Sequence, residues 1–266
     1  MGPLRLYFRY VGVSLRGQMQ YRASFILSAI GIFGGTGVEV LGIWVMFQRF
    51  STLRGWRMEE VLLFYGVVGI AFSLAEGVGR GFDLFDGLIR QGEFDRLLLR
   101  PRGTAFQVAA QQWQPARIGR LAQAVIAFAW GASAADIHWT LPRVALVPFA
   151  VLGGACLFYG LFVLQATMCF WTVESLEIWA TVTYGGNETG QYPVSIYRRW
   201  FRGFFTFIIP LACVSYFPMI AILGRRDELG SPVWFQLLAP GIGIFFLLVS
   251  LRVWRFGVRH YRSTGS

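Results

Sequence analysis

Ionisable side chains are scarce in this chain, and those set in apolar surroundings are where chemistry is to be sought first. Glu39 interrupts the run GIFGGTGVEVLG, and Glu76 closes VLLFYGVVGIAFSLAE. A carboxylate in hydrocarbon is costly, so its presence points by default to an ion or proton site, a substrate path or an Arg partner on another helix. For Glu39, a carboxylate hydrogen-bonded at a helix contact is an equal alternative. Glu76 stands one helical turn from Arg80, and an ion pair at the membrane boundary accounts for it. Asp136, His138 and Trp139 form a small polar group, but Ser133 beside them has no nucleophile-elbow pattern, so hydrolytic chemistry is not expected and Trp139 reads as an interface anchor. His138 and His260 are too far apart to suggest a metal site, and Cys156, Cys169 and Cys213 sit singly in apolar runs as small hydrophobes.

All 24 basic residues are Arg. Without Lys the chain cannot build a P-loop or a pyridoxal Schiff base, so any ATP used is hydrolysed on another polypeptide and no cofactor is expected in this one. The net charge of +10 does not indicate nucleic acid, because the Arg residues flank apolar spans instead of covering one soluble face. Anionic membrane headgroups and a topological charge rule explain them better.

The most charged segment is IRQGEFDRLLLRPRG, from Ile89 to Gly103. Phe85, Leu88 and Ile89 share one helical face, and Phe94, Leu97 and Leu98 share another, but a spacing of nine residues sets the two faces nearly opposite on one continuous helix. A break at Gly92 removes the conflict. It predicts two short helices at an angle, the second limited by Pro101, with Asp86, Arg90, Glu93, Asp95, Arg96 and Arg100 on the polar sides. Such a helix-bend-helix is shaped for a groove on a soluble partner, and a solvated loop is the alternative reading.

The elements that must carry these residues are apolar. Hydrophobic residues make up 55% of the sequence and charged ones 14%, with mean hydropathy +0.52, which defines an all-α integral membrane protein. Its ten Trp and ten Tyr suit a chain with many membrane-water boundaries. Six runs approach the roughly 20 residues needed to cross a hydrocarbon core: 25–48, 61–79, 118–136, 144–172, 203–224 and 233–254. Ahead of them, Leu4, Tyr7, Phe8, Val11 and Leu15 line one face and Arg5, Arg9 and Arg16 a flank, as in a helix lying in the interface. The first twenty residues lack the core and cleavage site of a signal peptide. Placing the N-terminus in the cytoplasm puts 18 Arg in inside segments and six outside, so both termini are expected to be cytoplasmic, and segments 80–117 and 173–202 face that side as docking surfaces.

Two local features bear on packing. Gly31 and Gly35 form a GxxxG, which fits close approach either within the monomer or between subunits. Pro210 and Pro218 mark the fifth run, PLACVSYFP, as either a kinked crossing or a re-entrant turn near the outer surface.

Two stretches resemble a known family. GEFDRLLLRP, Gly92 to Pro101, is similar to the "GelDrlLlRP" signature between the second and third spans of ABC-2-type permeases, in a branch of about this chain's length often labelled a domain of unknown function. In Gln191 to Gly224, Tyr192, Pro193, Ile196, Tyr197, Pro210, Tyr216, Pro218, Leu223 and Gly224 fall where such permeases carry "YP..IY", a mid-span Pro and "y.P...lLG". TYGGNETG, Thr183 to Gly190, is more Gly-rich and polar than the pattern. The resemblance implies the six-span permease half of an ATP-binding-cassette exporter in a bacterial inner membrane. It would be paired with a second permease copy or a paralogue, and driven by two ATPase subunits that bind ATP and Mg. It implies a coupling role for Arg90, Gly92, Glu93, Asp95, Arg96, Arg100 and Pro101, a second cytoplasmic contact at Tyr192, Pro193 and Tyr197, and a translocation path or gate involving Glu39, Pro210, Tyr216 and Pro218. The exported substrate is expected to be hydrophobic, amphipathic or cationic; the alternative from the residues alone is an ion- or proton-coupled transporter or channel using Glu39.

Overall fold

The computed structural model describes residues 12–13, 16–17, 20–112, 114, 117–172 and 176–261. The expected interfacial helix at the N-terminus falls almost wholly outside them. No strand occurs among the described residues. The order is α1 (Arg22–Arg49), α2 (Met58–Asp83), α3 (Phe85–Arg90), α4 (Glu93–Leu98), α5 (Thr104–Gln111), α6 (Ile118–Ala134), α7 (Leu141–Met168), α8 (Leu176–Gly190), α9 (Arg199–Gly203), α10 (Leu211–Val214), α11 (Tyr216–Leu223), α12 (Val233–Leu238) and α13 (Pro240–His260).

Among the described residues, four helices are long and apolar enough to cross a membrane: α1, α2 continued through α3, α7 and α13. A fifth candidate is the pair Arg199–Ile208 and Leu211–Leu223, bent by 73°. At 17 and 15 residues, α6 and α8 extend about 26 and 22 Å, the lower margin for a crossing.

α2 is the axis of the bundle, with most of its residues between Glu60 and Phe82 buried and α6 and α7 packed along it. Lipid tails are as apolar as Leu, so close steric fit and not hydrophobic contrast holds such helices together. Small residues provide that fit. Gly69 meets Ala124 of α6, Gly131 of α6 lies against the backbone of Glu59 and Leu63, and Gly153 of α7 lies against the backbone of Pro240 of α13. α1 is different, with only Thr36 and Ile43 buried, and a side chain added at Gly31, Gly34, Gly35, Gly37 or Gly42 would meet nothing. Among the described residues, then, nothing packs against the GxxxG of α1.

The bundle has two ends. At one, the loop before α2 places Trp56 against Phe64 and Tyr216; at the other, α3 and α4 follow the end of α2. The path between Gly190 and Gly224 is fixed by contacts with the first end. Trp56 Nε1 donates to Ser195 Oγ at 3.1 Å, and Arg225 pairs with Glu60 at 2.8 Å and donates to Gly55 O at 2.9 Å. Between these points the chain dips to mid-depth, where a Cβ at Gly190 would touch Leu211 and Val68. The run at 203–224, expected as a kinked crossing or a re-entrant turn, is thus a bent pair, a hairpin whose two ends both lie at the Trp56 end of the bundle. Its turn lies at Ile209 and Pro210, between a π-helical stretch (Phe204–Ile208) and α10, and Pro218 sits in the first turn of α11, where a missing N–H is tolerated.

This path corrects a second expectation. Tyr192, Pro193 and Tyr197 stand beside Ser195 at the Trp56 end, not at the end carrying α3 and α4, so segment 173–202 is not one docking surface. TYGGNETG is the last half of α8, which leads away from the α3–α4 end. Moving Arg198, Arg199 and Arg202 with it turns the Arg distribution from 18 against six to 15 against nine, a weaker bias of the same sign.

Candidate functional site: the elbow and its supports

α3 and α4 meet at Gly92, whose φ of 67° lies in the left-handed region that glycine enters without a Cβ penalty. The bend lets both helices turn their apolar sides to the same core. Phe85, Ile89, Phe94 and Leu97 are buried, while Leu98 is exposed, which narrows the face expected from the sequence. Phe85 and Phe94 pack edge to face at 5.1 Å, and Trp254 of α13 lies 5.0 Å from Phe85, with Phe170 and Tyr261 completing the cluster. Each such pair adds about 0.5–1.5 kcal/mol beyond area burial. The elbow is therefore clamped to the ends of α7 and α13.

Its backbone is held as well. Gln107 of α5, itself buried, donates from Nε2 to Leu97 O at 3.0 Å and to Arg102 O at 2.9 Å, and Trp254 Nε1 donates to Thr104 Oγ1 at 3.0 Å. The outer side is polar. Arg90, Glu93, Arg96, Arg100 and Pro101 are exposed, Asp95 is half-buried, and Leu99 stands 88% exposed beside them. The bend thus has an apolar back and a charged, Leu-tipped front.

Above the elbow lies a buried ionic network that sequence reasoning missed. Glu76, read as a boundary residue paired with Arg80, is instead 1% exposed and pairs with Arg117 at 3.0 Å and Arg120 at 3.5 Å. Arg80 pairs with Asp83 one turn on, and Asp83 also accepts from Gln165 of α7 and Tyr184 of α8, each at 3.2 Å. The two carboxylates tie α2 to the start of α6 and to α7 and α8. The available signal was Arg117 and Arg120 themselves, one turn apart at the head of an apolar run.

Glu39 has a local partner. Tyr65 of α2 donates its hydroxyl to Glu39 Oε2 at 2.9 Å, with Gln123 Oε1 of α6 at 3.1 Å. The carboxylate thus joins α1 to α2, the hydrogen-bonded alternative of the sequence reading. Glu39, Tyr216 and Pro210 are not brought together: Tyr216 packs against Trp56, and Pro210 lies at the tip of the hairpin. Ser133 Oγ donates to Trp130 O in its own helix, and the carbonyl of His138 accepts from Arg143, so that group forms no triad. Among the described residues no three His, Cys, Asp or Glu side chains are grouped to hold a metal ion.

Helices long and apolar enough to cross a membrane define a multi-pass α-helical membrane protein. Residues 33–265 match the family described as ABC-2 family transporter protein, and the chain belongs to that family. It is accordingly a permease of the ATP-binding-cassette transporters. No curated relative matches it, nor does any solved structure.

Proposed function

We propose that this chain is the membrane half of an ATP-driven exporter, and that the α3–α4 elbow receives the motion of a separate ATPase. The observation that carries the proposal is the left-handed bend at Gly92, which presents Arg90, Glu93, Arg96 and Leu99 outward while its apolar back grips α7 and α13. A displacement applied to the elbow is passed to those helices because the packed aromatic cluster has little free volume to absorb it. ATP and Mg belong to the ATPase. Binding there shifts the permease between inward-facing and outward-facing forms only through differential contact at the elbow.

In this reading α1, α2, α6, α7, α8 and α13 make six crossings. The hairpin enters from the outer side, and the elbow, Arg22 and His260 lie in the cytoplasm of a bacterial inner membrane. Two permease copies, or this chain and a paralogue, pair above two ATPase subunits. The open glycine face of α1 supports such pairing, since close contact between helices in lipid needs small surfaces. The exported substrate is hydrophobic, amphipathic or cationic.

Co-expression with candidate ATPase subunits tests the proposal. The complex is expected to co-elute, and Glu93→Ala with Arg96→Ala is expected to uncouple ATP hydrolysis from transport while the permease remains folded. Unchanged ATP-dependent transport in that double variant overturns it.

A further inference from the structure

A groove of about 770 Å³ opens between the hairpin and α13. Its walls are apolar: Phe207 and Pro210 on the hairpin, and Ile242, Phe245, Phe246 and Val249 along one face of α13. Phe207, Ile208 and Phe245 stand exposed along it, so the groove is open sideways, toward lipid. It runs from Leu229 and Ser231, in the loop at the Trp56 end, down to Val249 near the middle of α13. That is about half the thickness of a bilayer core of about 30 Å, the depth of one leaflet.

Two cations stand in these walls. Arg199 and Arg202 of α9 line the groove, and no carboxylate does. Neither side chain has a hydrogen bond or ion pair among the described residues, although Arg202 is half-buried. Another cation at this end, Arg225, pairs with Glu60 and lies over the ring of Trp56 at 4.5 Å. Two arginines without a counter-ion beside an apolar trough are an incomplete arrangement, and their forks of donors suit a phosphate.

We infer that this groove is a binding site for an anionic phospholipid, its phosphate on Arg199 and Arg202 and an acyl chain along Ile242, Phe245 and Val249. Basic pockets between membrane helices bind acidic headgroups on the same grounds. Charge complementarity and the lateral opening select a lipid over a second copy of the chain, which would have to bring a carboxylate into an apolar trough at its own desolvation cost. The inference requires only the membrane setting and is independent of the elbow's role.

The test uses the full chain in neutral detergent, with Tm followed as dioleoyl phosphatidylglycerol, dioleoyl phosphatidylcholine or inorganic phosphate is added. Phosphatidylglycerol is expected to raise Tm by several degrees more than phosphatidylcholine. That difference is expected to vanish in Arg199→Gln with Arg202→Gln, to persist in large part in Arg199→Lys with Arg202→Lys, and to be untouched by Arg259→Gln at the far end. Equal shifts from the two lipids, or a preference that survives the double Gln variant, overturn the site. An equal shift from inorganic phosphate alone means a free anion, and a double Gln variant that changes the oligomeric mass without changing lipid preference means a second copy; either result overturns the lipid assignment.

Discussion

The carboxylate of Glu76 lies 3.0 Å from the guanidinium of Arg117, in a pocket where the glutamate is 1% exposed. Removing one partner of a buried pair leaves the other charge without compensation, at a cost of about 3–5 kcal/mol. Glu76→Gln strands both Arg117 and Arg120 and should lower Tm in detergent strongly. Arg120→Gln leaves the Arg117 pair in place and should cost clearly less. A melting series that ranked the two equal would mean that the network is solvated.

The elbow separates two kinds of leucine. Leu97 is buried, and Leu99, two residues on, is 88% exposed. Leu97→Ala should destabilise the chain by about 2–5 kcal/mol, as core truncations do. Leu99→Ala should leave Tm unchanged and weaken ATPase association, read by co-elution and by stimulated hydrolysis.

Gly92→Ala places a Cβ on a residue at φ 67°. The left-handed conformation costs a non-glycine residue about 1–2 kcal/mol. The expected result is a small fall in Tm with a large fall in transport per ATP hydrolysed. Parallel losses in both would assign the glycine to folding alone.

Glycines distinguish packed from open faces. A Cβ at Gly153 collides with the Pro240 carbonyl and one at Gly243 with the Gly153 carbonyl, so Gly153→Ala or Gly243→Ala should force α7 and α13 apart and reduce yield and Tm. Gly34→Ala and Gly37→Ala meet nothing within the monomer. If α1 is a subunit contact, these variants shift the oligomeric mass while the monomer's Tm holds, which native mass measurement would read.

Asp227 gives the loop after α11 an acid dependence. Burial acts to raise its pKa, but hydrogen bonds from the Ser231 side chain and from the Leu229 and Ser231 amides outweigh it and hold the carboxyl below its ordinary 3.8. A lowered folded-state pKa means stability that is fully present above 3.8 and lost as pH falls through the lower value. Asp227→Asn should lower Tm slightly at pH 7 and flatten the fall below pH 4, as a pH series of melting curves will show.

What the sequence disclosed depended on how local the cause was. The break at Gly92 could be read because the misphasing of Phe85 and Ile89 against Phe94 and Leu97 is a property of a few turns. α8 could not, because Thr183, Asn187 and Thr189 look solvated on paper. In the fold, Thr183 Oγ1 donates to Trp179 O and Thr189 Oγ1 to Gly185 O, so the helix satisfies its own hydroxyls and can be buried. Glu76 was misassigned for a related reason. Arg80 is near in sequence, but the partners that count, Arg117 and Arg120, come from a helix brought alongside by Gly69 and Gly131.

The hairpin between Arg198 and Arg225 leaves and returns by the same face, so it adds nothing to the parity of the chain. Whatever its tilt or depth, α8 before it and α13 after it keep their directions, and the C-terminus keeps its side. Both of the hairpin's covalent connections lie at the Trp56 end, so the chain resumes after α11 from the end at which it left.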